Sequence, residues 1–529
     1  MAARLIVLGW DSATFDVADP LLEAGRLPVL RSLQERGWRA PLRSTWPAMT
    51  DCAWTCAFTG LNPGAHGIFG SWYRAPGDYR CLYFSSRDRA APALWELTNG
   101  VRHLVWNVPM SYPPSDVEGI MVAGYGAPPG SNFCRPSDFQ SRLAGRGPLE
   151  DLLDRAPHST LREFLDDLLR GLAAQAEALP WAIDQAGADC LVAVWPHIDR
   201  AQHFFWRFRG TEHPLGDAVD RVYEAMDRAT GLIAEAFPEA DLLVVSDHGA
   251  GPLKGDVNLG SWLVQNGYAT YGPSQRSSLA EMAWKLPPSL RRLGRRVAPG
   301  LARSTMAATL MGQLGHFDWS ETRAFHGLHS DVWLNLRGRE QQGTVDPSEA
   351  PALLEELQQG LAAITDPSTE ERVFAGVRSR DELYSGPQAA MGPDLMLDSW
   401  SSGYRVAPGH RGSDDIVVDP VPLAGVDEPW SADHRPLGVF VGAGPRIGRG
   451  RSDELNLYDV APTALALLEQ PVPEGLDGRV LLEALVPQWL QRHPVKMVGP
   501  STPRSSGGEY SDDEAAAVAA HLKDLGYIE

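Results

Sequence analysis

Short aliphatic runs constrain the fold more than any other feature of this chain. Segments such as "RLIVLGW", "DCLVAVWP" and "DLLVVSDHG" each contain at least four successive apolar residues, and stretches with helical patterning follow them. A strand with one face in water alternates polar and apolar residues, whereas a strand that is covered on both faces does not. The runs therefore predict an α/β fold with a doubly wound, mostly parallel central sheet and helices on both faces. At 529 residues, the chain is long enough for such a sheet and for insertions into it.

Two changes of composition mark the limits of the predicted sheet domain, which covers residues 1–270 and 316–490. Residues 271–315 are basic, helical in pattern and interrupted by prolines, and we interpret them as an inserted cap or lid. The alternative is a solvated helical hairpin, because runs of charge usually face water. Residues 491–529 combine a linker rich in Pro, Ser and Gly with a C-terminal helix.

Composition and charge argue against several classes of protein. No run of about 18 apolar residues offers a membrane span. The formal net charge of -20 disfavours binding of nucleic-acid polymers, which requires clustered lysine and arginine. The five cysteines are odd in number and have no CxxC spacing, so we expect them to be reduced and mostly buried. The apolar amino terminus also lacks the features of a secretory signal, and together these observations predict a cytoplasmic enzyme.

Candidate metal ligands stand at the ends of several predicted strands. Ligands of open α/β sheets bind beyond the carboxyl ends of the strands, so polar side chains at those positions can converge. Asp199 and His203 are four residues apart, a spacing that places both side chains on one face of a helix. Carboxylate and imidazole ligands are typical of sites for zinc, manganese or iron. The other candidates beside strand ends are Asp11, Asp247, His248 and His434.

The order of these residues resembles that of the alkaline phosphatase superfamily, in particular its type I phosphodiesterase/nucleotide pyrophosphatase branch. In that family a hydroxyl nucleophile stands nine residues before a Thr-Gly pair, and a His-Gly pair follows after a short turn. The matching positions here are Thr50, then Thr59 with Gly60, then His66 with Gly67. The resemblance covers residues 1–485 and includes the "DxxxH" motif that starts at Asp199 and the "DHG" motif that starts at Asp247.

The resemblance implies a two-metal phosphoric ester hydrolase that acts on a small-molecule phosphodiester or pyrophosphate. The two divalent ions would be zinc, with manganese or iron as alternatives. Thr50 would attack phosphorus to form a phosphothreonine, which water would then resolve. The implied ligands of one ion are Asp11, Asp247, His248 and the Thr50 oxygen, and those of the other are Asp199, His203 and His434, with Thr50 again near.

Two positions depart from the nucleotide-binding pattern of the family. Asp51 stands where an aromatic residue usually follows the nucleophile, and Ser71 stands where an asparagine usually holds a phosphoryl oxygen. Asp51 can favour a cationic or hydroxylated substituent of the substrate, or it can cap a helix that starts at Cys52. Ser71 can donate a hydrogen bond to the phosphoryl group, and Arg435 can add charge there, with Arg74 as the alternative.

Other interpretations stay open on the sequence alone. His410 competes with His434 for the last ligand position, although His434 leads into a predicted strand as the site requires. A covalent intermediate can also pass its phosphoryl group to an alcohol, which would make the chain a phosphotransferase or phosphomutase. A third interpretation is a non-catalytic metal-binding scaffold. Sulfatase chemistry is disfavoured, because the segment "TDCAW" lacks the C/S-x-P-x-R pattern that it needs.

Overall fold

The computed structural model describes residues 3–74, 77–79, 81–123, 127, 128, 130–144, 158, 160–272, 317–327, 330–406, 415–420 and 429–504. The strands in chain order are β1 (Leu5–Trp10), β2 (Trp38–Arg43), β3 (Trp72–Arg74), β4 (Cys81–Tyr83), β5 (His103–Trp106), β6 (Gly119–Val122), β7 (Cys134–Arg135), β8 (Cys190–Trp195), β9 (Asp241–Val245), β10 (Gly249–Pro252), β11 (Gly255–Val257), β12 (Ala324–His326), β13 (Asp331–Leu334), β14 (Val377–Ser379), β15 (Leu395–Leu397), β16 (Tyr404–Val406), β17 (Val417–Val418), β18 (Ala432–Arg435), β19 (Leu437–Ala443), β20 (Gly450–Arg451), β21 (Leu455–Asn456), β22 (Val472–Pro473) and β23 (Met497–Val498). The α-helices are α1 (Phe15–Glu23), α2 (Pro28–Arg36), α3 (Thr50–Thr59), α4 (Pro63–His66), α5 (Asp138–Leu143), α6 (Leu161–Ala186), α7 (His197–Phe205), α8 (Ala218–Ala236), α9 (Leu259–Gln265), α10 (Ala350–Ala362), α11 (Arg380–Leu383), α12 (Val460–Leu467) and α13 (Pro487–Arg492).

The central sheet has ten strands and is mostly parallel, as the aliphatic runs predict. Its order is β20-β2-β19-β9-β1-β8-β5-β6-β7, and β21 also pairs with β2. β1 lies near the middle of the sheet and pairs in parallel with both β8 and β9. β19 and β7 run antiparallel to their neighbours. The three longest aliphatic runs therefore form adjacent parallel strands in the centre of the sheet.

The two faces of the central sheet bury separate hydrophobic cores. In β1, Ile6 and Leu8 contribute to one core, whereas Leu5 and Val7 contribute to the other, because successive side chains point to opposite faces. Helices α1, α2, α6, α7 and α8 cover the first core, and α3 and α12 cover the second. Every position of a central strand is thus buried, which explains why the runs are apolar throughout. The doubly wound α/β prediction is confirmed.

A smaller antiparallel sheet lies between β11 and β18 along the chain, and the sequence analysis did not identify it. Its strand order is β12-β13-β15-β14. α9 and α10 pack on it around a core of its own, which includes Trp262, Leu334 and Leu357. Its strands have only three or four residues each, too few to produce a recognisable periodicity.

Two predicted segments fall largely outside the described residues. The inserted cap at 271–315 is one of them, because the description stops at residue 272 and resumes at 317. The predicted C-terminal helix is the other, because the description ends at residue 504. The cap, the terminal helix and the domain boundaries therefore stay predictions.

The state of the cysteines and the apolarity of the helices can be compared with the expectations from the sequence. All five cysteines are free thiols; four are buried and Cys81 is half-buried, in agreement with the sequence analysis. Within the described ranges, none of the helices has the length and apolarity that crossing a membrane requires.

Candidate metal centre

The central strands deliver the candidate ligands to one edge of the sheet. β1 ends directly before Asp11, and β9 ends two residues before Asp247. β8 leads into α7, which carries Asp199 near its start. Because β8, β1 and β9 are adjacent and parallel, their carboxyl ends open at the same place. The three carboxylates therefore converge, although they come from distant parts of the sequence.

Helix α7 and strand β18 add two further imidazoles. Asp199 and His203 are one helical turn apart, and His203 Nε2 lies 3.1 Å from Asp199 Oδ1. β18 pairs with β10, and this pairing brings His434 Nε2 to 3.5 Å from the same oxygen. The rings of His434 and His248 stack with their centroids 3.7 Å apart. His410, the alternative to His434, lies outside the described residues.

The six side chains form two clusters of three. Within each cluster, one candidate ligand atom from every residue lies within 4.8 Å of the others, and all six residues are buried. Carboxylate oxygens and imidazole nitrogens at this spacing can hold a divalent cation. We call them the β1 cluster, which is Asp11, Asp247 and His248, and the α7 cluster, which is Asp199, His203 and His434.

Several ligand atoms in the clusters make no hydrogen bond of acceptable geometry within the described part of the chain. Leaving a buried polar atom without a partner costs about 1–3 kcal/mol. Several such atoms at one place therefore indicate that something else satisfies them. A cation in each cluster would do so, and the residues fit two divalent ions. The atoms are Asp11 Oδ1, Asp247 Oδ2, His203 Nε2 and His434 Nε2.

All three imidazoles direct Nε2 into the site, because a backbone carbonyl engages Nδ1 of each ring. A carbonyl oxygen only accepts hydrogen bonds, so Nδ1 carries the proton of the neutral ring and Nε2 keeps its lone pair. Such an arrangement is typical of histidines that bind metals. The Nδ1 donors and their acceptors are His203 with Ala432 O at 2.9 Å, His434 with Ala48 O at 2.8 Å and His248 with Gly249 O at 3.0 Å.

The carboxylates of the β1 cluster are each held by one oxygen, which leaves the other for a ligand role. Trp54 Nε1 donates to Asp11 Oδ2 at 3.1 Å. The backbone N–H of Ser12 donates to Asp247 Oδ1 at 3.2 Å. Sequence reasoning missed both contacts, although Trp54 stands one helical turn after Thr50 and could have been found as a neighbour of the site.

Burial and mutual repulsion shift the acidity of the clustered groups. Burial raises the pKa of Asp11 and of Asp247, and repulsion among the carboxylates adds to the effect. Burial lowers the pKa of His248. Burial opposes ionisation of Asp199, yet the neighbouring imidazoles hold its pKa well below the ordinary value. Burial also acts against protonation of His434, but its contact with the Asp199 carboxylate raises the pKa of His434 to about 9. The carboxylates thus gather in a buried place where a cation would neutralise them.

We expect the affinity for divalent ions to rise with pH. A cation competes with protons on its ligands, and the pKa values of Asp11, Asp247 and His434 are raised. Below the pKa of about 9 of His434, its proton must be displaced, so affinity should fall by up to about tenfold for each pH unit. Calorimetric titration of the metal-free protein with Zn²⁺, in buffers of different ionisation enthalpy, measures the affinity and the protons released. Equal affinity at every pH and no proton release would contradict this expectation.

Thr50 is the first residue of α3 and lies beside the β1 cluster. Its Oγ1 is 3.3 Å from His248 Nε2. Two other threonines of the helix bond to its backbone instead, because Thr55 Oγ1 donates to Asp51 O and Thr59 Oγ1 donates to Thr55 O, both at 2.7 Å. The Thr50 hydroxyl thus faces a candidate ligand, while the next two hydroxyls along the helix are held by the main chain.

Asp51 and Ser71 lie together beside the nucleophile candidate. Asp51 is buried in the first turn of α3, and Ser71 lies near its carboxylate. Burial raises the pKa of Asp51 to about 6, although the nearby Ser71 side chain acts in the opposite direction. Because α3 already begins at Thr50, the interpretation of Asp51 as the cap of a helix that starts at Cys52 is wrong.

Arg435 is held by the backbone. Its guanidinium donates to His434 O at 2.7 Å and also to Pro252 O. Successive residues of a strand point to opposite faces, so Arg435 lies on the face of β18 away from the imidazole of His434. A contact between Arg435 and substrate stays a prediction. The alternative, Arg74, pairs with Glu340 at 2.6 Å.

Comparison with known proteins agrees with the fold. The model of the family described as type I phosphodiesterase / nucleotide pyrophosphatase matches residues 5–413. No curated protein gives a match in sequence.

Several solved structures are similar to this chain. Murine ectonucleotide pyrophosphatase / phosphodiesterase 5 has 12% identity and a TM-score of 0.50, with 91% of this chain and 100% of that chain covered. An inactive threonine-to-alanine variant of the same murine protein, in complex with AMP, has 11% identity and a TM-score of 0.50, with 92% and 100% covered. Phosphonoacetate hydrolase from Sinorhizobium meliloti 1021, in complex with phosphonoformate, has 15% identity and a TM-score of 0.53, with 87% and 94% covered.

The structural similarities, at such low identity, show the fold alone. The family match extends over most of the chain and includes five of the six clustered residues. The sixth, His434, lies beyond the matched range but joins the α7 cluster in space. The chain belongs to the type I phosphodiesterase/nucleotide pyrophosphatase family, and it is a metal-dependent phosphoester hydrolase.

Proposed function

We propose that this protein hydrolyses small phosphodiesters or pyrophosphates through a covalent phosphothreonine at Thr50. The observation that carries the proposal is the 3.3 Å contact between Thr50 Oγ1 and His248 Nε2, beside two buried clusters of candidate ligands. The inactive threonine-to-alanine variant of the murine neighbour supports the choice of a threonine.

We propose zinc as the ion in both clusters, with manganese or iron as alternatives, because the donors are carboxylates and imidazoles. The β1 cluster would hold one ion and the α7 cluster the other, with the Thr50 oxygen beside them. When bound, two divalent ions stabilise the ionised alcohol and neutralise charge on the phosphoryl group. A threonine hydroxyl is a weak nucleophile without such help.

In this proposal the phosphoryl group passes from the substrate to Thr50 and then to water. Thr50 Oγ1 gives its proton to solvent and bonds to phosphorus, and the leaving oxygen departs with the electron pair of its bond and takes up a proton. Water then attacks phosphorus and loses a proton, and Thr50 Oγ1 departs and takes up a proton, which restores the hydroxyl. Because Thr50 begins α3, the phosphoryl oxygens would lie near the positive end of a ten-residue helix.

Asp51 and Ser71 shape the preference for substrate in this proposal. A carboxylate beside the nucleophile repels anionic substituents and favours neutral, hydroxylated or cationic ones. Ser71 lies near Asp51 and would donate its one hydroxyl proton to a phosphoryl oxygen. We also propose a cytoplasmic location, which the five free cysteines support because they suit a reducing compartment.

Oxygen-18 water distinguishes hydrolysis from transfer to an alcohol. The protein, loaded with Zn²⁺, would be incubated with bis-p-nitrophenyl phosphate in labelled water, with and without glycerol as an acceptor. We expect the p-nitrophenyl phosphate product to carry one labelled oxygen in both cases, as measured by mass spectrometry. A glycerol ester as the main product would indicate a phosphotransferase. Absence of turnover in protein that holds two ions would indicate a scaffold.

A further inference from the structure

A buried hydrogen-bond network connects the two clusters. Its centre is Gln202 on α7, which directly precedes His203 of the α7 cluster. Gln202 Nε2 donates to the backbone oxygen of Ser12 at 2.8 Å and to Ser12 Oγ at 3.2 Å. Ser12 directly follows Asp11 of the β1 cluster, and both Gln202 and Ser12 are 1% exposed. One side chain thus bonds to two polar groups of a residue that adjoins the other cluster.

Ser12 continues the connection to two members of the β1 cluster. Its N–H donates to Asp247 Oδ1 at 3.2 Å, and its Oγ donates to Gly249 O at 3.4 Å. The same Gly249 oxygen accepts the hydrogen bond that orients His248. Ser12 has a φ of 67°, in the left-handed region that residues other than glycine rarely adopt. Because this conformation costs about 1–3 kcal/mol, the surrounding hydrogen bonds must maintain it.

Tyr223 on α8 determines which way the Gln202 amide points. Its hydroxyl accepts from the backbone N–H of Thr14 at 3.0 Å and donates to Gln202 Oε1 at 3.3 Å. Since Oε1 accepts from Tyr223, Nε2 is left to donate to Ser12, whose carbonyl can only accept. Tyr223 is fully buried. Donors and acceptors agree at every step, so the amide has one orientation.

We propose that Gln202 is a positioning residue that sets the separation between the two metal ions. The inference rests on the proposed two-ion function. Helix α7 positions Asp199 and His203. The ends of strands β1 and β9 position Asp11 and Asp247. The hydrogen bonds of Gln202 connect α7 to the segment that follows β1. Two ions act together on one phosphoryl group only at about 3.5–4 Å from each other. Loss of the hydrogen bonds between Gln202 and Ser12 would therefore reduce kcat and metal affinity more than it reduces the affinity for substrate.

The test replaces Gln202 by leucine, which removes the amide, and by glutamate, which places an acceptor opposite Ser12 O. We expect either variant to weaken Zn²⁺ affinity by about 10–100-fold, as is typical when a partner of a metal ligand is lost. At saturating Zn²⁺, kcat should fall by a similar factor while KM changes by less than about threefold. With Mn²⁺ in both clusters, electron paramagnetic resonance should show altered coupling between the two ions.

Gln175 provides a matched control. It is also a buried glutamine, 2% exposed, and its Oε1 accepts from Trp106 Nε1 at 3.3 Å. It lies on α6 and belongs to neither cluster. Gln175→Leu should lower the midpoint of thermal unfolding but leave Zn²⁺ affinity, kcat and the Mn²⁺ coupling unchanged.

Tyr223→Phe keeps the test decisive if the Gln202 variants fail to fold. It removes one hydroxyl and preserves the ring, so the Gln202 amide loses the bond that orients it. We expect Zn²⁺ affinity to fall by about 3–10-fold. A wild-type protein that does not bind two ions would overturn the proposed function. A wild-type protein that binds two ions, together with Gln202→Leu or Tyr223→Phe variants that behave as Gln175→Leu does, would overturn the positioning role alone.

Discussion

Replacing Thr50 by alanine is expected to abolish turnover of bis-p-nitrophenyl phosphate, with a fall in kcat on the order of 10⁴-fold or more. The reason is that the Thr50 oxygen is the atom that bonds to phosphorus, and alanine offers nothing in its place. Metal content should stay near two ions per chain, because the six clustered side chains remain. Steady-state rates and elemental analysis of the same preparation measure both quantities.

Thr55→Ala is the matched control for this experiment. Thr55 lies on the same helix, is also buried, and donates to Asp51 O at 2.7 Å. Its loss should cost about 1 kcal/mol of unfolding free energy and change kcat by less than about threefold. Full activity of Thr50→Ala, or an equal loss in both variants, would refute Thr50 as the nucleophile.

Replacing Asp247 by alanine is expected to remove one metal ion and to lower kcat on the order of 10³-fold or more. Asp247 Oδ1 is held by the Ser12 N–H, and Oδ2 is one of the cluster atoms without a hydrogen bond. In the metal-free protein, two effects of this replacement oppose each other, because the buried Ser12 N–H loses its acceptor while a carboxylate whose pKa is raised by burial is removed. Zn²⁺ should raise the thermal midpoint much more in the wild type than in the variant.

Asp227→Ala separates this effect from the general loss of a buried aspartate. Asp227 is 1% exposed, accepts from the backbone N–H groups of Val29 and Leu30, and belongs to neither cluster. Its removal should change neither the metal content nor the rise of the thermal midpoint on addition of Zn²⁺. Two ions per chain in Asp247→Ala would contradict the assignment of the β1 cluster.

The sequence was sufficient to predict the central sheet, because a strand that is buried on both faces is apolar at successive positions. β1, β8 and β9 are apolar at almost every position for that reason. The same logic placed Asp11 and Asp247 near each other, since adjacent parallel strands must end at the same edge. The other four candidates also came from strand ends and helical spacing, and the resemblance to the family divided the six residues between two ions.

Features that depend on tertiary contacts were not predictable in this way. The hydrogen bond between Trp54 and Asp11 joins two elements of the chain, and the helical spacing from Thr50 indicates only that Trp54 lies near the site. Gln202 looks like any polar residue of an amphipathic helix until Ser12 is placed opposite it. The orientation of the Arg435 side chain was not predictable either. It depends on which residues of β18 face the site, and a four-residue strand is too short to show this in its sequence.

A crystal structure of the zinc-loaded protein soaked with orthovanadate, with anomalous scattering to locate the ions, tests the central claim most directly. We predict two zinc peaks, one between Asp11, Asp247 and His248 and the other between Asp199, His203 and His434, with vanadium bonded to Thr50 Oγ1. A single peak, or vanadium on a different side chain, would contradict the account.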